Sequence, residues 1–276
     1  MWGFGYDKTK GETIGECLSV GYRVRPYKFV AKYNGIDYRF VDINNYELKE
    51  IYHFLRECKI KNNIPVIVMD GINCTWTKFY NKTSIQHYAI VNGMDSNGLV
   101  CIDPFSSSSL SEIYDYNRLL SSKHRFVLFE KCNIKEKVNI NEVLETLYNE
   151  VKDIQLDRLY QEFINDMRYE RMKAEMPLIE NAETFPLFIS INLIALMREN
   201  TAAYFENMYT QTNETEFLEI KQLFLDSSQL WNKVKLVLLR FCILRTEKEV
   251  EIIRNCINQI RKREKKILEI LSGMLF

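Results

Sequence analysis

His87 and Asp103 are the two side chains in this sequence whose types and spacing best suit proton transfer. They lie in the stretch QHYAIVNGMDSNGLVCIDPF, residues 86–105, sixteen positions apart. An imidazole is the side chain that ordinarily exchanges protons near neutral pH. A carboxylate bonded to one ring nitrogen would fix its tautomer and leave the other nitrogen to face a nucleophile, as in a triad. The plainer alternative stays open. A His at the start of a strand is often a polar edge residue, and Asp-Pro often ends a strand.

A triad needs a nucleophile. Cys17, within GETIGECLSV, is the best internal candidate, although a small buried Cys is the ordinary reading of that position. Cys74 lies in the loop before His87, with no helix N-terminus to favour its thiolate. Cys58, Cys101, Cys242 and Cys256 fall on apolar faces and read as core, and Cys132 reads as a loop residue. Asp70 ends a strand and reads first as a turn residue. Trp76 and Tyr80 could wall a substrate groove or pin their loop to the core. His53 falls mid-helix near the surface, and His124, just before a strand, is expected to be exposed.

The elements that would position the pair are legible. Residues 87–95 and 98–105 read as two strands joined by the turn residues Asp95-Ser96-Asn97-Gly98. That hairpin sets the two ends side by side. IPVIVMD is a continuous β-branched run and predicts a buried central strand. IDYRFVDI alternates and predicts a strand, as does HRFVLFE. Pro26–Asn34 predicts a short helix, Asn45 caps a helix over YELKEIYHFLRECKI, and Ser111–Asn117 suggests a helical turn. The second part predicts helices near 139–153, 155–176, 186–210, 214–226 and 227–271, with Pro177 and Pro186 at the first breaks. Nine of the ten glycines precede residue 131, so the composition divides where the pattern does. The expected class is α+β, with a mixed domain over residues 1–131 carrying an antiparallel sheet and an all-helical bundle over residues 138–276.

Composition narrows the classes of function. Lys plus Arg (37) balances Asp plus Glu (37), which gives no general attraction to nucleic acid or to an anionic membrane. No apolar run approaches a membrane span, and the N-terminus lacks a secretory pattern. Seven scattered cysteines without a CxxC pair, together with three histidines, suit reduced thiols in a cytoplasm. No metal or organic cofactor is implied. The basic run QIRKREKK reads as a solvated helix face that could also meet an acidic partner.

IPVIV, a loop, and then HYAIVNGMDSNGLVCIDPF resemble the second half of the papain-like fold in double-glycine bacteriocin-processing peptidases. They resemble still more the butirosin-biosynthesis acyltransferase family and its relatives in peptide-synthetase and other thiotemplate clusters. The opening WGFGY is similar to a Phe-x-Tyr segment of that family. The helical tail is similar as well, including Trp231 within LWNKVKLVLL and Glu264 in the last helix. The resemblance implies a papain-like N-terminal domain and acyl transfer from a carrier-protein thioester to an amine. The acyl group would arrive on a phosphopantetheine arm. A Cys thiolate would form the acyl-enzyme, His87 would deprotonate that Cys and later assist the amine, and Asp103 would orient His87. In the family that Cys precedes the segment matching Met1–Tyr6, so the matching nucleophile is expected upstream of Met1. A shortened sheet domain would expose apolar surface, and a homodimer is the expectation. A cysteine peptidase and a nonenzymatic relative that binds or scaffolds are the competing readings.

Overall fold

The computed structural model describes residues 4–19, 35–104, 107, 109–121, 124–131, 139–152, 155–176 and 184–276. The predicted helix over Pro26–Asn34, the break at Pro177 and the thiol of Cys132 lie outside the described residues. Two compact units divide the chain. One joins Met1–Arg25 to Asn139–Phe276, and the other is Pro26–Val138. The division near residue 138 matches the change in composition. The first 25 residues, however, group with the helices rather than with the sheet.

Aromatic packing and a buried carboxylate hold that N-terminal segment in the helical unit. β1 (Gly5–Tyr6) pairs antiparallel with β2 (Leu18–Ser19), and α1 (Ile14–Cys17) lies between them. Thr13 and Glu16 form a capping box at α1. A Cβ on Gly5 would meet only the Ser19 hydroxyl closely, at the tip of a side chain that can turn away.

The sheet unit runs β3 (Ile36–Asp42), α2 (Leu48–Ile60), β4 (Ile64–Asp70), β5 (Gln86–Met94), β6 (Gly98–Ile102), β7 (Glu112–Asp115), α3 (Tyr116–Ser121) and β8 (Arg125–Lys131). The six strands are ordered β3-β8-β4-β5-β6-β7, and every neighbouring pair is antiparallel. One face carries Ile67, Met69, Ala89, Val91, Leu99, Cys101, Tyr114 and Phe126, packed with Ile51 and Leu55 of α2 into a single core. Two local expectations change. Glu47 rather than Asn45 stands at the N-cap of α2, where its N–H donates to Glu50 at 2.7 Å. Within the helical turn predicted at Ser111–Asn117, Glu112–Asp115 form strand β7, because Tyr114 alternates into the core beside Leu99 while Ile113 faces away, and helix begins only at Tyr116.

The helical unit continues through α4 (Ile140–Lys152), α5 (Leu156–Asp166), α6 (Tyr169–Glu175), α7 (Pro186–Thr212), α8 (Thr215–Leu244) and α9 (Glu247–Leu275). The helix predicted over 155–176 is two helices, α5 and α6, with Met167 and Arg168 between them. The predicted break at 226/227 does not occur. Ser227 and Ser228 sit inside α8, donating to the Glu264 carboxylate at 2.8 Å and to the Ala195 carbonyl at 3.0 Å. The break falls instead at Arg245-Thr246, where Arg245 takes a left-handed conformation (φ 50°). Phe4 stacks on Tyr160 with ring centroids 4.1 Å apart, and Trp231 lies 6.0 Å away. Tyr6 donates to Asp166 at 2.7 Å, and Lys8 and Arg171 each pair with Asp166 at 2.9 Å. Among the described residues no helix is long and apolar enough to cross a membrane.

Candidate functional site

Strand register brings His87 and Asp103 together. β5 pairs with β4 so that His87 lies opposite Met69. β5 pairs with β6 so that Ile90 lies opposite Ile102. One residue further, Asp103 lies beside Ala89, on the same face as His87. The side chains meet there. His87 Nε2 is 2.6 Å from Asp103 Oδ2, with 13% of the His87 side chain exposed and 2% of the Asp103 side chain. A carboxylate only accepts, so the contact places a proton on Nε2 and leaves Nδ1 as the proton-accepting atom.

A second donor holds the same oxygen. Trp76 Nε1 donates to Asp103 Oδ2 at 2.8 Å, and its ring packs edge-on against Tyr114 with centroids 6.2 Å apart. Two donors on one carboxylate oxygen fix its orientation. Of the two readings open for Trp76, groove wall or loop pin, its packing against the core fits the second, and its indole N–H adds a bond to Asp103 that the sequence did not indicate.

The loop that carries Trp76 is built rigidly. Asp70 accepts from the Ile72 and Ile85 amides at 3.1 and 3.0 Å and from the Ser84 hydroxyl at 2.6 Å. It therefore closes the loop, as a strand-ending Asp is expected to do. Thr77 donates to the Gly71 carbonyl at 3.1 Å. Arg118, which sequence reasoning passed over, donates to the Asn73 carbonyl at 2.5 Å and to the Tyr80 hydroxyl at 2.7 Å. Its guanidinium also lies 4.9 Å from the Tyr80 ring centre. An arginine on a separate short helix gives no sequence signal for that role.

Neither candidate thiol is presented as a nucleophile. Cys74 is fully buried, with its sulfur 3.5 Å from the Asp70 carbonyl. Burial first, and then the charges of Asp103 and Asp70, push its thiol up to about 12. Cys17 is 1% exposed, lies in the helical unit and donates to the Gly11 carbonyl at 3.3 Å. Burial raises its thiol too, against an opposing pull from Arg171. Cys58, Cys101, Cys242 and Cys256 are buried, as their apolar surroundings predict.

The remaining histidines separate. His53 is exposed on α2. His124 is 3% exposed, contrary to the expectation of a surface residue. Its ring stands edge-on to Tyr114, with Nε2 3.2 Å from the Arg118 carbonyl. It immediately precedes β8, which lies between β3 and β4 rather than at a sheet edge. Burial lowers its proton affinity, with the Arg118 carbonyl acting in the opposite sense. The basic run on α9 is largely consumed within the bundle. Arg261 bonds Asp157 through two nitrogens at 2.5 Å, Arg263 lies 3.6 Å from Asp226, and Lys266 pairs with Glu219. No group of three or more metal-ligating side chains occurs among the described residues.

No protein-family model matches the chain, and no curated protein matches it.

Proposed function

We propose that the sheet unit is a papain-like acyl-transfer domain in which His87 acts as general base and Asp103 orients it. The observation that carries this reading is the 2.6 Å contact between His87 Nε2 and a buried Asp103, which leaves Nδ1 on a side chain that is still partly accessible. The substrate is an acyl group held as a thioester on the phosphopantetheine arm of a carrier protein, and the acceptor is an amine. The amine nitrogen attacks the thioester carbonyl while Nδ1 of His87 takes the proton it loses. The carbon–sulfur bond then breaks, the proton passes to the departing thiolate, and an amide and a free thiol remain. Cys17 and Cys74 have no part in this route. The setting is a cytoplasm, where the chain's thiols stay reduced, within secondary-metabolite biosynthesis. No cofactor resident in the chain is called for.

The test uses the full chain with acyl-pantetheine thioesters and a panel of amines, reading amide and free thiol. We expect turnover with release of one thiol per amide formed. His87→Gln should lower the rate by about 10²–10⁴-fold. Asp103→Asn should lower it as well, with substrate binding retained. A His87→Gln protein as active as the parent would end this reading.

A second reading is favoured by the burial of both candidate thiols. On that reading the chain is a nonenzymatic relative that binds the acylated arm without transferring its load. Titration calorimetry with acyl-pantetheine separates the two, because binding without turnover in the unaltered protein supports the second alone.

A further inference from the structure

The face of the sheet opposite α2 presents exposed apolar side chains on five of its six strands, β6 excepted, while Val68 and Val127 on the same face are buried. Ile36 and Phe40 (β3), Ile64 (β4), Tyr88 and Ile90 (β5), Ile113 (β7) and Phe129 (β8) are each 37–53% exposed. The register puts them all on one surface: Tyr88 and Ile90 lie opposite Val68 and Val66, Ile64 opposite Phe129, Phe40 opposite Val127, and Ile113 opposite Val100. An antiparallel sheet that meets water on one side normally alternates apolar-in with polar-out. Here the outward set is mostly apolar, with Asp42 on β3, Arg125 and Lys131 on β8 and Asp115 on β7 as its charged members.

We infer that this face is the interface of a homodimer in which two copies pack sheet against sheet. The area is adequate. Seven large side chains exposed to this degree offer on the order of 600 Å², approaching the roughly 800 Å² per partner of a stable interface. One of those charged side chains interrupts the apolar surface, Arg125 of β8, opposite Asp42 and Val68 with its guanidinium 4.4 Å from the Phe40 ring centre; the rim is self-complementary. Lys131, opposite Ile36, lies on the β3–β8 side at one end of the strands, and Asp115, opposite Gly98, lies on β7 at the same end. A two-fold axis along the strand direction lays the β3–β8 side of one copy over the β6–β7 side of the other. Lys131 of each copy then lies over the edge bearing Asp115 of its mate, twice by symmetry. The equal count of 37 basic and 37 acidic side chains leaves no net repulsion between copies. Two such faces stack at about 10 Å with strands near 30°. Because His87 and Asp103 point to the opposite face, the interface does not depend on the functional reading.

The experiment is light scattering and sedimentation of the full chain over a wide concentration range. The unaltered protein should be a dimer that dissociates on dilution. Ile90→Lys should weaken association by about 100-fold with the circular dichroism spectrum unchanged. Should that variant misfold, the edge variant Phe40→Glu serves in its place. Lys131→Asp and Asp115→Lys should each weaken the dimer about 10-fold, and the double variant should restore it, because the exchanged charges pair again. A parent protein that stays monomeric at every concentration overturns the inference, and so does a dimer that Ile90→Lys and Phe40→Glu leave intact.

Discussion

Single side chains in the sheet unit are tuned mainly by burial. Cys74 illustrates the point. It lies near the dyad carboxylate, yet it is enclosed, and both burial and the adjacent acids disfavour its thiolate. We expect maleimide to leave Cys74 unmodified in the native protein and to label it only after denaturation, read by mass spectrometry of the peptide. Rapid native labelling would show that the loop opens. His124 is tuned by burial in the opposite chemical sense, since the enclosed imidazole resists protonation. The unfolded chain binds that proton at the ordinary imidazole value of about 6.5. Protons therefore favour the unfolded state as pH falls below that value, and stability declines until the folded-state value is passed. Denaturant titrations of the parent should show this loss between neutral and mildly acid pH. His124→Phe should remove the part of the slope due to this residue.

At the level of elements, the helical unit is registered by one buried polar cluster. Arg198 on α7 donates to both oxygens of Glu264 on α9 at 2.9 and 3.0 Å, and both residues are fully buried. Tyr160 of α5 and Ser227 of α8 also donate to the carboxylate, at 2.8 Å each. Four helices thus converge on one acid, with its acceptor sites satisfied. Arg198→Met leaves Glu264 buried without its counter-charge and should destabilise the unit by about 3–5 kcal/mol. Joint replacement by Arg198→Met and Glu264→Leu should cost less than Arg198→Met alone, as measured by chemical denaturation. Equal losses would mean that the pair is incidental. The same cluster explains why α8 runs unbroken through Ser227 and Ser228. These residues read as a helix break in isolation, yet here their hydroxyls find buried acceptors.

For the whole molecule, chain order and spatial grouping do not coincide. The first residues belong to the helical unit, so the sheet unit interrupts it in sequence. Phe4 is the anchor, stacked on Tyr160 and close to Phe163 and Trp231. Phe4→Ala should destabilise the helical unit by about 3–5 kcal/mol. It should leave the amide-exchange protection of β4, β5 and β8 unchanged. Loss of protection in those strands to the same extent would show that the two units unfold as one. The Phe-x-Tyr segment is thereby a packing motif. Tyr6 bonds Asp166, whose carboxyl is held below its usual range: burial raises it, but the Tyr6 and Lys8 hydrogen bonds and the charge of Arg171 outweigh that effect.

The sequence by itself determined what short-range geometry governs. Continuous β-branched runs and one four-residue turn fix β4, β5 and β6. The register set at the turn, with Met94 opposite Leu99, would by itself put Asp103 opposite Ile90 on the far face from His87; the register shift between Val91 and Gly93, which no local pattern announced, brings Asp103 beside Ala89 and so onto the face of His87. Tertiary structure decided everything that depends on partners distant in the chain. It inserted β8 between β3 and β4, and it turned Tyr114 inward and so made a strand of part of an expected helical turn. It also enclosed His124 and the thiols, and it brought the Trp76 indole onto Asp103. The physical reason is that burial and hydrogen-bond partners across a sheet or a bundle are set by strand order and helix packing. Those arise from the summed exclusion of water over many residues rather than from any local pattern.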